Sequence, residues 1–166
     1  MSLQFSVCNY RAMFDHYLTL LLEHHGELNL PYDFATKLCL IASPLMHGKV
    51  IVCVDEEEHR LEGAIGCVYG TGANDFTDQD VCQIEVAFLR EPFRSTPLFM
   101  RGLKFLTAFV SEDNAAVRQI QFWGPGGHSG LRRLFSKIPD MQRTEVGKLD
   151  FYKIELTALK QYCSRF

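Results

Sequence analysis

Gln83-Ile84-Glu85-Val86-Ala87-Phe88-Leu89-Arg90-Glu91-Pro92-Phe93-Arg94-Ser95-Thr96-Pro97-Leu98-Phe99-Met100-Arg101-Gly102-Leu103 contains a change of period on which the fold turns. From Cys82 every second residue is apolar (Cys82, Ile84, Val86, Phe88), which is the period of a strand. That alternation places Glu85 on the face opposite Ile84 and Val86. Past Arg94 the period becomes helical, with Leu98, Phe99, Leu103, Leu106, Phe109 and Val110 recurring at the spacing of one helix face. Thr96 is suited to cap that helix and Pro97 to occupy its first turn. A helix start offers free N–H groups and the positive end of a dipole, so a strand entering a helix through a turn with Arg94 can hold an anion.

Working outward, residues 3–8 read as a strand and 10–25 as a helix with Met13, Phe14, Tyr17, Leu18, Leu21 and Leu22 on one face and Gly26 as its stop. A second helix runs from an Asp33 cap to Ala42, where Ser43-Pro44 ends it. Residues 49–54 and 61–69 are β-prone runs joined by the polar segment Asp55 to Arg60, the pattern of an antiparallel hairpin. A loop of turn formers spans 70–80. After the strand at 81–90 and the helix at 96–110, the chain gives a strand at 117–123, a glycine loop at 124–127, a helix at 128–136, and two strands near 141–146 and 149–156. This order predicts a single mixed α/β domain over residues 1–166, with a mostly antiparallel sheet of six or seven strands and about four helices. The helix at 96–110 forms the one crossover, into the strand at 117, and a cleft is expected where those two parallel strands splay at their carboxyl ends.

Composition narrows the function classes. The chain has 166 residues, 47% apolar and 22% charged, which suits one globular core. A net charge of −3 argues against a general nucleic-acid binder. No apolar run reaches the length of a membrane span, and Met1 to Ser6 lacks the basic and long apolar parts of a secretory leader, so a cytoplasmic protein is expected. Cys8, Cys39, Cys53, Cys67, Cys82 and Cys163 contain no C-x-x-C pair. They read as small buried residues in a reducing compartment.

Several other motifs resolve to plain structure. Gly124 to Gly130 lacks the Gly-Lys-Ser/Thr of a phosphate-binding P-loop. Gly127-His128-Ser129-Gly130 falls one residue short of a nucleophile elbow. No H-E-x-x-H or carboxylate–histidine cluster points to a metal. Glu56, Glu57 and Glu58 read as a solvated turn, and Arg132, Arg133 and Lys137 as a solvated helix face. His24 and His25 close the first helix, where an imidazolium suits the dipole.

The element order, with its strand–turn–helix at the centre, resembles the GNAT N-acetyltransferases over nearly the whole chain. It is most similar to a branch found in phages and prophages, through the acidic loop Asn74-Asp75-Phe76-Thr77-Asp78, the strand Glu85 to Leu89, and the turn Phe93-Arg94-Ser95-Thr96. The resemblance implies acetyl-CoA as co-substrate. It implies a bulge near Leu89, with the main chain around Phe88 and Leu89 pairing with the pantetheine arm as an added strand. It further implies that Arg94, Ser95, Thr96, Pro97, Leu98 and Phe99 wrap the pyrophosphate. The family pattern there is Arg/Gln-x-x-Gly-x-Gly/Ala, and only Arg94 matches, so the loop is degenerate. Pro97 has no N–H and Phe99 adds bulk, which shifts the task to the N–H groups of Leu98, Phe99 and Met100, to Ser95 and Thr96 hydroxyls, and to Arg94, Arg101 and Lys104.

The same resemblance implies acetylation of a primary amine by direct attack on the thioester. Glu85 is then the candidate base, its pKa raised if it is buried in so apolar a strand, and a main-chain N–H near Leu89 meets the oxyanion. The family's usual acid is a tyrosine where this chain has Phe135, which leaves His128 or Ser129 as donor, or an unassisted thiolate. Tyr32, Phe34 and His47 fall on the acceptor side. The acceptor stays open between a small amine, an antibiotic, a peptide N-terminus and a lysine, and a homodimer through the closing strands is compatible with the pattern. The alternative is a non-catalytic GNAT-like module that binds acyl-CoA weakly or binds a protein partner.

Overall fold

The computed structural model describes residues 1–166. The elements are β1 (Leu3–Val7), α1 (Arg11–Glu23), α2 (Phe34–His47), β2 (Gly48–Asp55), β3 (Arg60–Tyr69), β4 (Val81–Leu89), α3 (Leu98–Asp113), β5 (Gln119–Pro125), α4 (Ser129–Ser136), β6 (Gln142–Val146), β7 (Leu149–Glu155) and α5 (Leu156–Cys163). They form one seven-stranded sheet in the order β1-β2-β3-β4-β5-β7-β6. Every neighbouring pair is antiparallel except β4 and β5, which α3 joins by a crossover. The mixed α/β class and the strand count agree with the sequence expectation. The helix count is five, because α5 follows directly on β7; its Leu156, Leu159 and Cys163 close the core beneath α3.

One core lies on each face of the sheet. On one side α1 and α2 bury Tyr17, Leu20, Leu21 and Ile41 against β2, β3 and β4. On the other, Met100, Leu103, Leu106 and Val110 of α3 pack with α4 and α5. The Tyr17 phenol, fully buried, donates to the Ile41 carbonyl at 2.8 Å and ties α1 to α2. The Asp33 carboxylate caps α2 by accepting from the Thr36 N–H at 2.8 Å, as the sequence suggested.

Pro44 does not end α2. The helix runs on to His47 with Pro44 inside it and buried. The ring packs over Gly66, where a Cβ would come within 2.7 Å of the proline and 2.8 Å of the Tyr17 hydroxyl. Packing on that gap in the sheet outweighs the missing helix hydrogen bond.

β4 departs from a simple alternation. Cys67 pairs with Ile84 and Gly66 with Val86, so Glu85 is an extra residue in the ladder. The bulge expected near Leu89 therefore sits at Glu85. It also reverses the strand's faces. Cys82 and Ile84 pack on the α3 side, whereas Val86 and Phe88 pack on the α1–α2 side. Glu85 thus opposes Ile84 but shares a face with Val86, which corrects the reading of a single alternating face. A second bulge places Glu62 of β3 as the extra residue against β2. Its fully buried carboxylate is met by Arg60 Nε at 2.7 Å and Arg90 Nε at 3.6 Å.

The tie between α1 and α2 is testable. Tyr17→Phe leaves the Ile41 carbonyl without its buried donor and lowers the unfolding free energy by about 1 kcal/mol. Urea denaturation followed by circular dichroism measures it, and an unchanged midpoint would remove this bond from the account.

Candidate functional site

The parallel pairing of β4 with β5 lasts only from Val81↔Gln119 to Ile84↔Phe122. Beyond it β5 stays with β7 as far as Pro125↔Leu149, while β4 bends at Glu85 and stays with β3. The two strands splay, and the β5-facing edge of β4 from Glu85 to Leu89 has no partner strand. A cleft of about 710 Å³ fills the gap, bounded by this edge, by Phe122 to Pro125, by the start of α3, by α4 and by the segment Glu27–Leu30. That volume lies within the range of small-molecule and cofactor sites.

The mouth of the cleft carries groups that can hold an anion. Ser95 has φ 62°, a left-handed conformation that turns the chain without a glycine. The main-chain N–H groups of Ser95, Thr96, Phe99 and Met100 have no hydrogen-bond partner within the protein, and that of Leu98 meets only the Thr96 hydroxyl at 3.3 Å. Pro97, not Thr96, is the capping residue, and the helix runs to Asp113. The Thr96 hydroxyl instead donates to the Phe93 carbonyl. Arg94 donates from Nε to the Leu89 carbonyl at 2.8 Å and from Nη2 to Glu27 at 2.8 Å, and its guanidinium lies 5.5 Å from the Phe88 ring centroid. Further positive charge comes from Arg133 and Lys137 on the opposite wall. Lys104, expected to serve here, reaches the Phe166 main-chain oxygen instead, at 2.6 Å.

Glu27 is held in turn by His24, whose Nδ1 lies against the carboxylate while Nε2 faces Arg90 Nη1 at 3.2 Å. Both contacts are satisfied by one neutral tautomer, with Nδ1–H donating and Nε2 accepting. The His24 and Arg94 hydrogen bonds hold the Glu27 carboxyl below its ordinary pKa.

The inner end carries Glu85. The residue is partly buried and forms no ion pair with any lysine, arginine or histidine. Burial raises its pKa, and a hydrogen bond from Gln83 Nε2 to its Oε2 at 3.3 Å opposes the rise. Tyr17 and Tyr32 feel its charge, and both phenols are pushed up, first by burial. A carboxylate of raised pKa that faces a cleft and has no ion-pair partner is a stronger base than an ordinary glutamate.

His128 lines the same cleft but is already employed. Its Nδ1 accepts from the Leu131 N–H at 3.1 Å and caps α4. In that state only Nε2–H is free, so the ring can donate a hydrogen bond but not deliver a proton without giving up the cap. Phe135 is 6% exposed and packs among Phe122, Tyr152 and Phe99, with ring centroids 4.8, 4.9 and 6.2 Å away. No hydroxyl takes its place.

The cleft brings together Glu85, Phe88, Leu89, Arg94, Ser95, Phe99 and His128. Thr96 and Pro97 belong to the turn behind it, and Leu98 is buried beneath. Tyr32 stands near Glu85 without lining the cleft, whereas Phe34 is exposed and packs its ring edge on His25. His47 is exposed and stacks on Phe76. Sequence reasoning missed Phe122 and Trp123, which form the β5 wall. It also read Arg132 as only a solvated charge, whereas the residue is partly buried and paired. Its guanidinium pairs with the fully buried Asp150 of β7 at 2.7 and 2.9 Å and anchors α4, the far wall of the cleft.

No family model matches the chain, and no curated protein matches it by sequence. Solved structures match it closely in shape. A GNAT-family acetyltransferase from Staphylococcus aureus Mu50 superposes with a TM-score of 0.68 at 13% identity, covering 93% of this chain and 99% of that one. The ribosomal-protein-S5-alanine acetyltransferase from Vibrio fischeri gives 0.63 at 8% identity, covering 92% of each chain. An acetyltransferase from Streptococcus agalactiae gives 0.63 at 11% identity, covering 92% and 98%. The fold of this chain is that of the GNAT acetyltransferases.

The burial of Glu85 has a measurable sign. Because its folded pKa is raised, the stability linked to this group is complete below the unfolded value of about 4.3 and is lost as pH rises through the folded value. Glu85→Gln removes the buried charge, so its thermal midpoint exceeds that of the parent at pH 8 and the gap closes toward pH 4. A gap that is equal at both pH values would mean the carboxylate is solvated.

Proposed function

We propose that the protein transfers an acetyl group from acetyl-CoA to a primary amine. The observation that carries this reading is a single cleft with an anion-binding turn at its mouth and an unpaired, partly buried carboxylate at its inner end. The fold supports acyl transfer in general, and the donor and acceptor are our own assignment.

The free N–H groups around Ser95 and Phe99, with Arg94, Arg133 and Lys137, would hold the pyrophosphate. The open edge of β4 would pair with the pantetheine amides as a strand pairs with a sheet edge. The bound co-substrate supplies an activated acyl thioester. Glu85 takes the proton that the amine sheds as its nitrogen bonds to the acyl carbon. A main-chain N–H on the β4 edge faces the oxygen that becomes negative, and the carbon–sulfur bond then breaks. With Phe135 in place of a donor, the sulfur leaves as thiolate, helped at most by a hydrogen bond from His128 Nε2–H.

A second reading, a module that binds acyl-CoA or a protein partner without turnover, draws on two observations: Phe135 carries no proton, and Arg94 is already paired with Glu27. Titration calorimetry separates the two. Acetyl-CoA is expected to give heat that Arg94→Glu abolishes, and no heat at millimolar ligand would end the transferase reading. Thiol release across a panel of amines is then expected to fall by roughly 100-fold or more in Glu85→Gln with binding intact. Unchanged turnover would remove Glu85 as the base.

A further inference from the structure

Three glutamine side chains lead to Glu85 in an unbroken line. Gln119 Nε2 donates to Gln121 Oε1 at 2.9 Å, Gln121 Nε2 donates to Gln83 Oε1 at 2.7 Å, and Gln83 Nε2 donates to Glu85 Oε2 at 3.3 Å. The line crosses from β5 to β4 through their parallel pairing, where Gln83 stands opposite Gln121. It ends one residue past the last paired position, at the bulge where the strands part. All three glutamines are partly buried, on the sheet face opposite Ile84 and Ile120.

The direction of this line follows from its end. An ionised carboxylate has no proton to give, so Gln83 must turn its NH2 toward Glu85. Its carbonyl oxygen then faces Gln121, which must present NH2, and the same rule passes to Gln119. Each amide that donates at one end and accepts at the other strengthens its neighbours. A lone Gln83 would be free to turn over and offer its oxygen to the carboxylate. The Gln121 donor, in the shortest of the three bonds, removes that freedom.

We propose that Gln83 is a positioning residue for Glu85, and that Gln121 and Gln119 act through it by fixing the amide with its NH2 on the carboxylate. The role rests on Glu85 being the base of the reaction proposed above. It explains how a carboxylate with no ion pair keeps one orientation at the point where β4 leaves β5. Tyr17 of α1 and Tyr32, ahead of α2, are the titratable groups that face Glu85, and both phenols are pushed up and stay neutral through its titration. His128 lies on the opposite wall, and Arg94, Arg133 and Lys137 line the cleft without pairing with it. The Gln83 amide is therefore the one side chain hydrogen-bonded to the carboxylate.

Carbon-13 NMR of the glutamate carboxyls in the free, full-length protein tests this, with the Glu85 signal assigned by its loss in Glu85→Gln. The Glu85 midpoint is expected to move upward in Gln83→Leu, by less in Gln121→Leu, and by least in Gln119→Leu. In the parent protein the Gln83 side-chain nitrogen signal should titrate with the same midpoint as Glu85. Equal midpoints in all three variants, or a flat Gln83 signal, would overturn the proposal. So would a shift in Gln121→Leu that Gln83→Leu lacks. A variant that fails to fold loses the dispersed spectrum, and the Gln83 signal in the parent still decides. Neither measurement uses acyl-CoA or turnover, so a silent calorimeter would remove the transferase reading without touching this result.

Discussion

One extra residue in β4 is the constraint from which the site follows. A bulge kinks its strand and adds twist, and this one falls one position after the last β4–β5 pair. Its first effect is to let one strand serve both cores, with Ile84 beneath α3 and Val86 against α1 and α2. Its second is to carry β4 away from β5, which stays bound to β7 through Pro125. A cleft between parallel strands needs such a divergence, since an intact ladder would leave no main-chain groups for a ligand. Its third effect is to put Glu85 at the vertex. The residue that breaks the ladder is the one whose unpaired carboxylate faces the cleft, so backbone geometry and local electrostatics are set by the same position.

The treatment of acidic groups distinguishes structure from function. Glu62 and Asp150 are fully buried, and each has two arginines: Arg60 and Arg90 for the first, Arg132 and Arg143 for the second. Such pairs are expected wherever a charge is taken from water, because an unpaired one is strongly destabilising. Arg132 holds the Asp150 carboxyl below its ordinary pKa, and the pair fixes α4 to β7. Glu85 has neither arginine nor lysine and is left with a raised pKa and one amide hydrogen bond. Glu62 and Asp150 are each compensated by arginines, whereas Glu85 at the inner end of the cleft has no counter-charge.

The sequence made the strand–turn–helix and the mixed sheet legible, and marked Glu85 as the lone acid of an apolar strand, because each depends on local period and turn chemistry. It hid what depends on partners distant in the chain. A bulge is defined by the opposing strand, so the alternation Cys82, Ile84, Val86, Phe88 looked like one face when it is two. Pro44 read as a helix stop because Gly66, the gap it fills, lies in another element. Arg132 read as solvated because Asp150 is supplied by β7. The polar positions of β4 and β5 held a trace of the glutamine line: Gln83, Gln119 and Gln121 all alternate with apolar residues. Their meeting required the parallel register, which periodicity does not supply. α5 was obscured by its direct continuation from β7, with no turn residue to announce it.

At the Arg94 turn a residue other than glycine carries the positive φ. Glycine serves a phosphate loop by tolerating positive φ and by letting the backbone approach closely. Here Ser95 adopts the positive φ itself, at a strain cost that a polar side chain bears better than a branched one. Pro97 withholds one N–H, yet those of Ser95, Thr96, Phe99 and Met100 remain unsatisfied within the protein. Four unpaired donors at a helix start are costly unless water or a ligand meets them. Arg94 is meanwhile satisfied by Glu27 and Leu89, so an anion entering the turn must compete with a carboxylate for the guanidinium. Glu27 and Leu89 both line the cleft, and Arg94 links them. An anion bound there would therefore loosen the link between the α1–α2 segment and β4 as it gains the arginine.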